Sequence, residues 1–240
     1  MSIDLKGQAV IVTGASSGIG EATARLLHAA GAYPVLAARR ADRLRQLSGE
    51  LEGALAVPTD VTDPDQVKAL VKATVDRFGR VDALVNNAGA GAFYRLQDID
   101  PADFLALLNL NVVAPVTAIQ AVLPHMRTAG RGRVVNISSG ATLRPMPGNA
   151  IYPAAKTALN WLSEVGREEL AEDNIQISLV LPFVTDTGFY QRDDLPTGLQ
   201  AHSPHYVARV ILRALRTGED RIVIPRGPEQ PDFPETRQNG

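Results

Sequence analysis

Tyr152 and Lys156 stand four residues apart in Tyr152-Pro153-Ala154-Ala155-Lys156. On a helix that spacing puts both side chains on one face. A phenol titrates near pH 10, about three units too high for a good base in neutral water. A neighbouring ammonium favours the phenolate, and the pair can then give and take a proton. On spacing alone a surface Tyr–Lys pair is the commoner meaning, so the assignment needs further residues.

A second chemistry sits near the start of the chain. Thr13-Gly14-Ala15-Ser16-Ser17-Gly18-Ile19-Gly20 lies between a short apolar run and a helical pattern. Glycines let the backbone approach a pyrophosphate, and a helix N-terminus offers free N–H groups and the positive end of a dipole. Gly14, Ser16, Ser17, Gly18, Ile19 and Gly20 are therefore candidate phosphate contacts; a tight strand-to-helix turn with no ligand is the plain alternative. The next strand ends Ala37-Ala38-Arg39-Arg40. A site for NAD needs an acid there for the ribose 2′-hydroxyl, whereas Arg suits a 2′-phosphate. Arg39 and Arg40 make bidentate, charge-assisted bonds to phosphate and stack on adenine. NADP(H) is favoured over NAD(H), with Arg39 the better candidate and Arg40 the better fit to a solvated helix start.

These groups need a scaffold that brings distant segments together. Apolar runs at 9–12, 34–37, 55–57, 81–85, 134–137, 175–181 and 221–224 alternate with helical patterns. The longest helices are expected over 102–126 and 150–171. Strands apolar on both faces, alternating with helices, imply a parallel sheet covered on each side. The expected fold is α/β, a Rossmann-type doubly wound, seven-stranded, mainly parallel sheet with helices on both faces. Residues 1–225 read as one domain and 226–240, rich in proline, as a loosely ordered tail.

The motifs, taken in order, resemble the short-chain dehydrogenase/reductase family from about Lys6 to Pro225. The glycine turn resembles the family's Thr-Gly-x-x-x-Gly-x-Gly, and Asn86-Asn87-Ala88-Gly89 its Asn-Asn-Ala-Gly. Asn111, Ser139, Tyr152 and Lys156 match its catalytic Asn, Ser, Tyr and Lys. The resemblance implies that Asn87, Ala88 and Gly89 border the cofactor, that Asp60 and Val61 line the adenine, and that Thr187 bonds the nicotinamide carboxamide. It implies hydride transfer between NADP(H) and a carbonyl or alcohol carbon, with Tyr152 as the acid and base. Ser139 would hold the substrate oxygen, Lys156 the nicotinamide ribose, and Asn111 a water leading to solvent. It also implies a homodimer or homotetramer. One departure stands out: the family has Pro-Gly after its sixth strand, and this chain has Pro182-Phe183.

Composition narrows the rest. Net charge is −2, which gives no field for nucleic acid or an anionic membrane, and the absence of cysteine removes disulfides, thiolate catalysis and Cys-based metal sites. No uninterrupted apolar run reaches the roughly 18 residues of a membrane span. A cytoplasmic protein acting on a small molecule is expected, with no nucleic-acid or membrane partner. His202 and His205 lack a third ligand nearby, so no metal is assigned. Trp161 is expected to pack in the core or between subunits. Substrate contacts are expected from 90–95, 140–148 and 183–199, whose aromatic and apolar residues suit a neutral ketone or aldehyde, while Arg95 and Arg144 could pair with an anion. Two rival readings are a non-catalytic NADP(H)-binding regulatory module and a non-redox enzyme such as a dehalogenase or epimerase.

Overall fold

A computed structural model describes residues 3–187 and 201–229. Seven strands form one sheet: β1 (Ala9–Thr13), β2 (Tyr33–Ala38), β3 (Leu55–Pro58), β4 (Ala83–Asn86), β5 (Gly132–Ile137), β6 (Ile175–Leu181) and β7 (Arg221–Val223). Their order is β3-β2-β1-β4-β5-β6-β7, and every pair is parallel. Between them run α1 (Gly18–Ala29), α2 (Ala41–Glu50), α3 (Pro64–Phe78), α4 (Pro101–Leu108), α5 (Ala114–Ala129), α6 (Ile151–Glu169) and α7 (Pro204–Thr217). The strand order reverses between β1 and β4, so a crevice opens at their carboxyl ends.

Alternate residues of each strand feed two cores. Val10, Val12, Val85, Val135 and Val180 pack with Leu27 of α1, Leu44 and Leu47 of α2, and Val207, Ile211 and Leu215 of α7. Ile11, Val35, Leu84, Val134 and Ile177 face the other way, onto Val67, Leu70 and Val71 of α3 and Ala118, Val122 and Met126 of α5. Truncating one of the fully buried leucines, such as Leu27 or Leu70, costs about 2–5 kcal/mol.

Local chemistry sets the boundaries. Asp63 caps α3, accepting from the backbone N–H of Asp65 at 2.9 Å and Gln66 at 3.3 Å; Pro64 follows at the first turn. Gly79 ends that helix at φ 72°, a left-handed conformation that only glycine adopts freely. β4 starts two residues later than the apolar run suggests. Asp82 is the reason: its carboxylate accepts from the N–H of Ala9 at 2.9 Å, a side chain pairing with the first residue of β1.

The single helix expected over 102–126 is instead α4 and α5 joined by a π turn at Asn109–Val113. Pro115 has no N–H to give the carbonyl four residues back, and the N–H of Ala114 reaches Asn109, five residues back. Within Pro101–Ala129 an 18-residue window has a mean hydropathy of 1.7, and the stretch is by length and composition apolar enough to cross a membrane. Here α5 packs against α3, β4 and β5, and 39% of that window is buried. Within the expected tail, residues 226–229 are described and lie against the domain: Glu229 accepts from the N–H of Ser203, and Arg226 lies over the Phe183 ring. Residues 230–240 lie outside the described residues.

Candidate active site

A cleft of about 770 Å³ runs along the carboxyl edge of the sheet, within the size range of cofactor sites. Of the residues expected at the site, Gly14, Ser16, Ser17, Gly18, Ile19, Arg39, Arg40, Asp60, Val61, Asn87, Ala88, Gly89, Ser139, Tyr152, Lys156 and Thr187 line it. Gly20 and Asn111 do not: Gly20 lies beneath the turn and Asn111 is fully buried.

The glycine turn is shaped by contacts that exclude side chains. A Cβ on Gly20 would meet the Gly14 carbonyl oxygen at 2.3 Å, and one on Gly14 would meet Asn87 Nδ2 at 2.8 Å. Thr13 ties the strand ends together. Its hydroxyl donates to Val85 O at 3.2 Å and accepts from the N–H groups of Asn87 and Ala88, both at 3.0 Å. Asn87 Nδ2 in turn donates to Thr13 O at 2.9 Å. Thr13 opens the glycine motif, but its role as a brace follows only from seeing β1 beside β4.

Ser17 does not cap α1; its hydroxyl accepts from Arg40 Nη2 at 2.6 Å. Arg40 also donates to Ser16 Oγ through Nε at 3.1 Å and Nη2 at 2.9 Å. No side-chain hydrogen bond caps α1, and Gly18 and Ile19 at its start line the cleft. Arg40 is therefore fastened to the turn, whereas Arg39 lies near Asp60, whose carboxyl it helps hold below the usual range. The larger causes there are hydrogen bonds from the Thr62 side chain and backbone.

At the other end, Ser139 follows β5, and Tyr152 and Lys156 occupy the first turns of α6. All three are buried. Ser139 Oγ accepts from the N–H of Ala141 at 3.1 Å, which leaves its proton to donate elsewhere. Lys156 Nζ donates to Ile137 O at 2.9 Å and sits 6.0 Å from the Tyr152 ring centre. Burial pushes the Lys156 ammonium down to about 8. Asn111, in the π turn, donates through Nδ2 to Ala90 O at 3.0 Å and Leu107 O at 3.1 Å. Its Oδ1 is buried with no hydrogen-bond partner among the described residues. That oxygen lies 2.7 Å, and Lys156 Nζ 3.5 Å, from where a Cβ on Gly89 would stand. A glycine at 89 is thus what lets Asn111 and Lys156 converge behind the cleft.

Phe183, Pro182, Thr185, Thr59, Ala106, Asn109 and Leu110 also line the cleft. Pro182 and Phe183 carried a signal, as the place where the family has Pro-Gly, and Thr185 falls in the expected segment 183–199; Thr59, Ala106, Asn109 and Leu110 carried none. No residue of the expected substrate segments 90–95 and 140–148 lines the cleft; Phe93 and Leu143 are exposed, and Tyr94 donates to Asp103 at 2.6 Å, fastening that loop to α4. Asp103 raises the Tyr94 pKa through this bond. Of the expected substrate segment 183–199, residues 188–199 lie outside the described residues. His202 is buried and packs against Tyr206, with ring centres 5.1 Å apart and tilted by 31°. Among the described residues no group of three or more His, Cys, Asp or Glu comes together that could hold a metal. Trp161 is 68% exposed in the single chain, so the core position considered for it is ruled out.

Comparison with known proteins adds four findings. Residues 8–195 match the family described as short chain dehydrogenase. An uncharacterized oxidoreductase of Staphylococcus haemolyticus is 35% identical over 214 residues, covering 88% of this chain and 92% of that protein. Among solved structures, a metagenomic short-chain oxidoreductase in complex with NADP is 35% identical with a TM-score of 0.80, covering 92% of this chain and 98% of that one. The 3-ketoacyl-(acyl-carrier-protein) reductase of Brucella melitensis, complexed with NADH, is 27% identical with a TM-score of 0.84, over 91% and 98%.

Proposed function

The chain belongs to the short-chain dehydrogenase family, and from that membership we propose that it is an NADP(H)-dependent oxidoreductase acting on a carbonyl or secondary alcohol. The observation that carries the proposal is the sharing of one cleft by the Arg40-fastened glycine turn and the Ser139, Tyr152 and Lys156 cluster.

The site fits a dinucleotide with a 2′-phosphate. The tight glycine turn and uncapped α1 receive the pyrophosphate, and Arg39 and Arg40 receive the 2′-phosphate. When bound, the nicotinamide supplies or accepts the hydride. The chain's own residues do the rest. Ser139 donates a hydrogen bond to the substrate oxygen. Tyr152 delivers a proton to that oxygen during reduction and takes it back during oxidation. Lys156 Nζ has one proton committed to Ile137 O and others free, so it can hold a ribose hydroxyl and favour the tyrosinate. Asn111 Oδ1 supplies a buried acceptor behind Lys156, placed to hold a water on a proton path.

The substrate proposed is neutral and apolar: Phe183 lines the cleft, Phe93 and Leu143 are exposed apolar residues of the segments expected to receive it, and Arg95 and Arg144 are exposed in the same segments. The exposed apolar residues Leu105 on α4, Val113 in the π turn, and Trp161, Leu162 and Val165 on α6 support a homodimer or homotetramer. Fluorescence titration with NADPH and NADH, followed by turnover of neutral ketones and aldehydes, tests the function. NADPH binding tighter than NADH, with reduction of a carbonyl, is the expected result. Absence of binding to either dinucleotide would overturn it. Binding without turnover on any carbonyl or alcohol would instead favour a regulatory module.

A further inference from the structure

We infer that the Phe183 ring forms the wall that sets the nicotinamide end of the dinucleotide, and that Arg226 is a positioning residue holding that ring. The inference rests on the proposed function. The reacting end of the cleft is the end with Ser139 and Tyr152, because a transferred hydride and proton must meet on one substrate carbonyl. Phe183 stands at that end, two residues past the last residue of β6, and lines the cleft beside Pro182.

Three contacts place the ring. A Cβ on Gly140 would stand 2.6 Å from both Cδ1 and Cε1 of Phe183 and 2.7 Å from Cζ. No other residue at 140 leaves the ring where it is, and Gly140 is the residue after Ser139. The N–H of Gly140 donates to Pro182 O at 2.8 Å, which locks the ends of β5 and β6 together under the ring. The Arg226 guanidinium lies 4.7 Å from the ring centre, within cation–π range. Arg226 is itself exposed, so its contact to the cleft runs through Phe183. Phe183 is half-buried and lines the cleft, so the part of the ring that Arg226 and Gly140 leave uncovered offers an apolar surface to a planar heteroaromatic ring. The segment after β7 thereby acts on the site without entering it.

The test uses the full chain and two ligands. NADPH carries both ends of the dinucleotide; adenosine 2′,5′-bisphosphate carries the adenosine end and no nicotinamide. Dissociation constants come from nicotinamide fluorescence for the first and from its displacement for the second. Phe183→Ala is expected to weaken NADPH about tenfold and to leave the bisphosphate within about twofold. Phe183→Tyr should restore NADPH binding. Arg226→Gln, a surface change that leaves the core intact, should weaken NADPH alone by about threefold, with recovery in Arg226→Lys. Equal NADPH affinity in Phe183→Ala and Arg226→Gln, or parallel loss of both ligands, overturns the inference while leaving the function standing. A wild-type chain that binds neither ligand overturns the function and the inference together.

Discussion

The Arg40 guanidinium bonds the Ser17 hydroxyl at 2.6 Å and the Ser16 hydroxyl at 2.9 Å, fastening the end of β2 to the glycine turn. These bonds hold the Arg40 charge beside the start of α1. A 2′-phosphate placed there meets a guanidinium already oriented, so little side-chain entropy is lost on binding. Arg40→Ala is expected to weaken NADPH about tenfold and NADH by less than about twofold. Arg39→Asp should shift preference toward NADH. Titration of each variant with both cofactors checks this; an Arg40→Ala protein with unchanged NADPH affinity, or an Arg39→Asp protein that still prefers NADPH, contradicts the assignment.

Tyr152 is buried in the first turn of α6 and lines the cleft beside Ser139. Phenylalanine keeps the ring and its packing against Val112 and Ile151 in the small core beneath. Tyr152→Phe is therefore expected to keep NADPH affinity while turnover falls by about 10²–10⁴-fold or more, the scale of general acid–base catalysis. Steady-state rates beside a fluorescence titration separate the two effects. Full turnover in the variant would remove Tyr152 from the mechanism.

The tight glycine turn was legible because its requirement is written in residue type: only glycine fits where a Cβ would stand 2.3 Å from a carbonyl oxygen, as at Gly20. The sheet was legible because buried parallel strands read as short apolar runs. Tyr152 and Lys156 were legible as a pair because one helix carries both. The π turn was not. It depends on how Pro115 shifts hydrogen bonds within a helix whose apolar pattern continues unbroken. Arg226 was not legible either, since a cation–π contact between two distant segments leaves no local pattern. The sequence put Arg39 first and read Arg40 as a solvated helix start; the observed hydrogen bonds of Arg40 to Ser16 and Ser17, between segments far apart in the chain, show it fastened to the glycine turn instead.

Lys156 has a stability consequence. Its folded pKa, about 8, lies below the ordinary value of 10.5 because burial disfavours the ammonium. Between those values the unfolded chain holds more protons, so stability without cofactor rises with pH through that window. Below pH 8 the penalty is present in full, roughly 3 kcal/mol. Lys156→Met removes the charge but strands the Ile137 carbonyl, which costs about 1–3 kcal/mol. The expected result is a cofactor-free variant as stable as wild type or up to about 2 kcal/mol more stable at pH 7, with turnover lost. Its stability relative to wild type should fall toward pH 10. Urea unfolding at pH 7 and pH 10 checks this; a difference independent of pH would show that Lys156 does not titrate as described.

Trp161 is 68% exposed on α6, with Leu162 at 44% and Val165 at 38% beside it. Positions 161 and 165, and 162 and 165, fall on neighbouring turns of one helix face. Leu105 at 66% and Val113 at 52% add apolar surface on α4 and the π turn, an element that packs against α6. A cluster of this kind, with a tryptophan at its centre, is the usual anchor of an association surface. A second copy of the chain presenting the same helices would cover it symmetrically. Trp161→Arg places a charge where a desolvated ring is expected, at a cost of about 2 kcal/mol or more per copy. Wild type should sediment as a dimer or tetramer at micromolar concentration, and Trp161→Arg as a monomer with unchanged far-ultraviolet circular dichroism. A monomeric wild type would show that this face stays open in solution, and an oligomeric Trp161→Arg would move the interface elsewhere on the molecule.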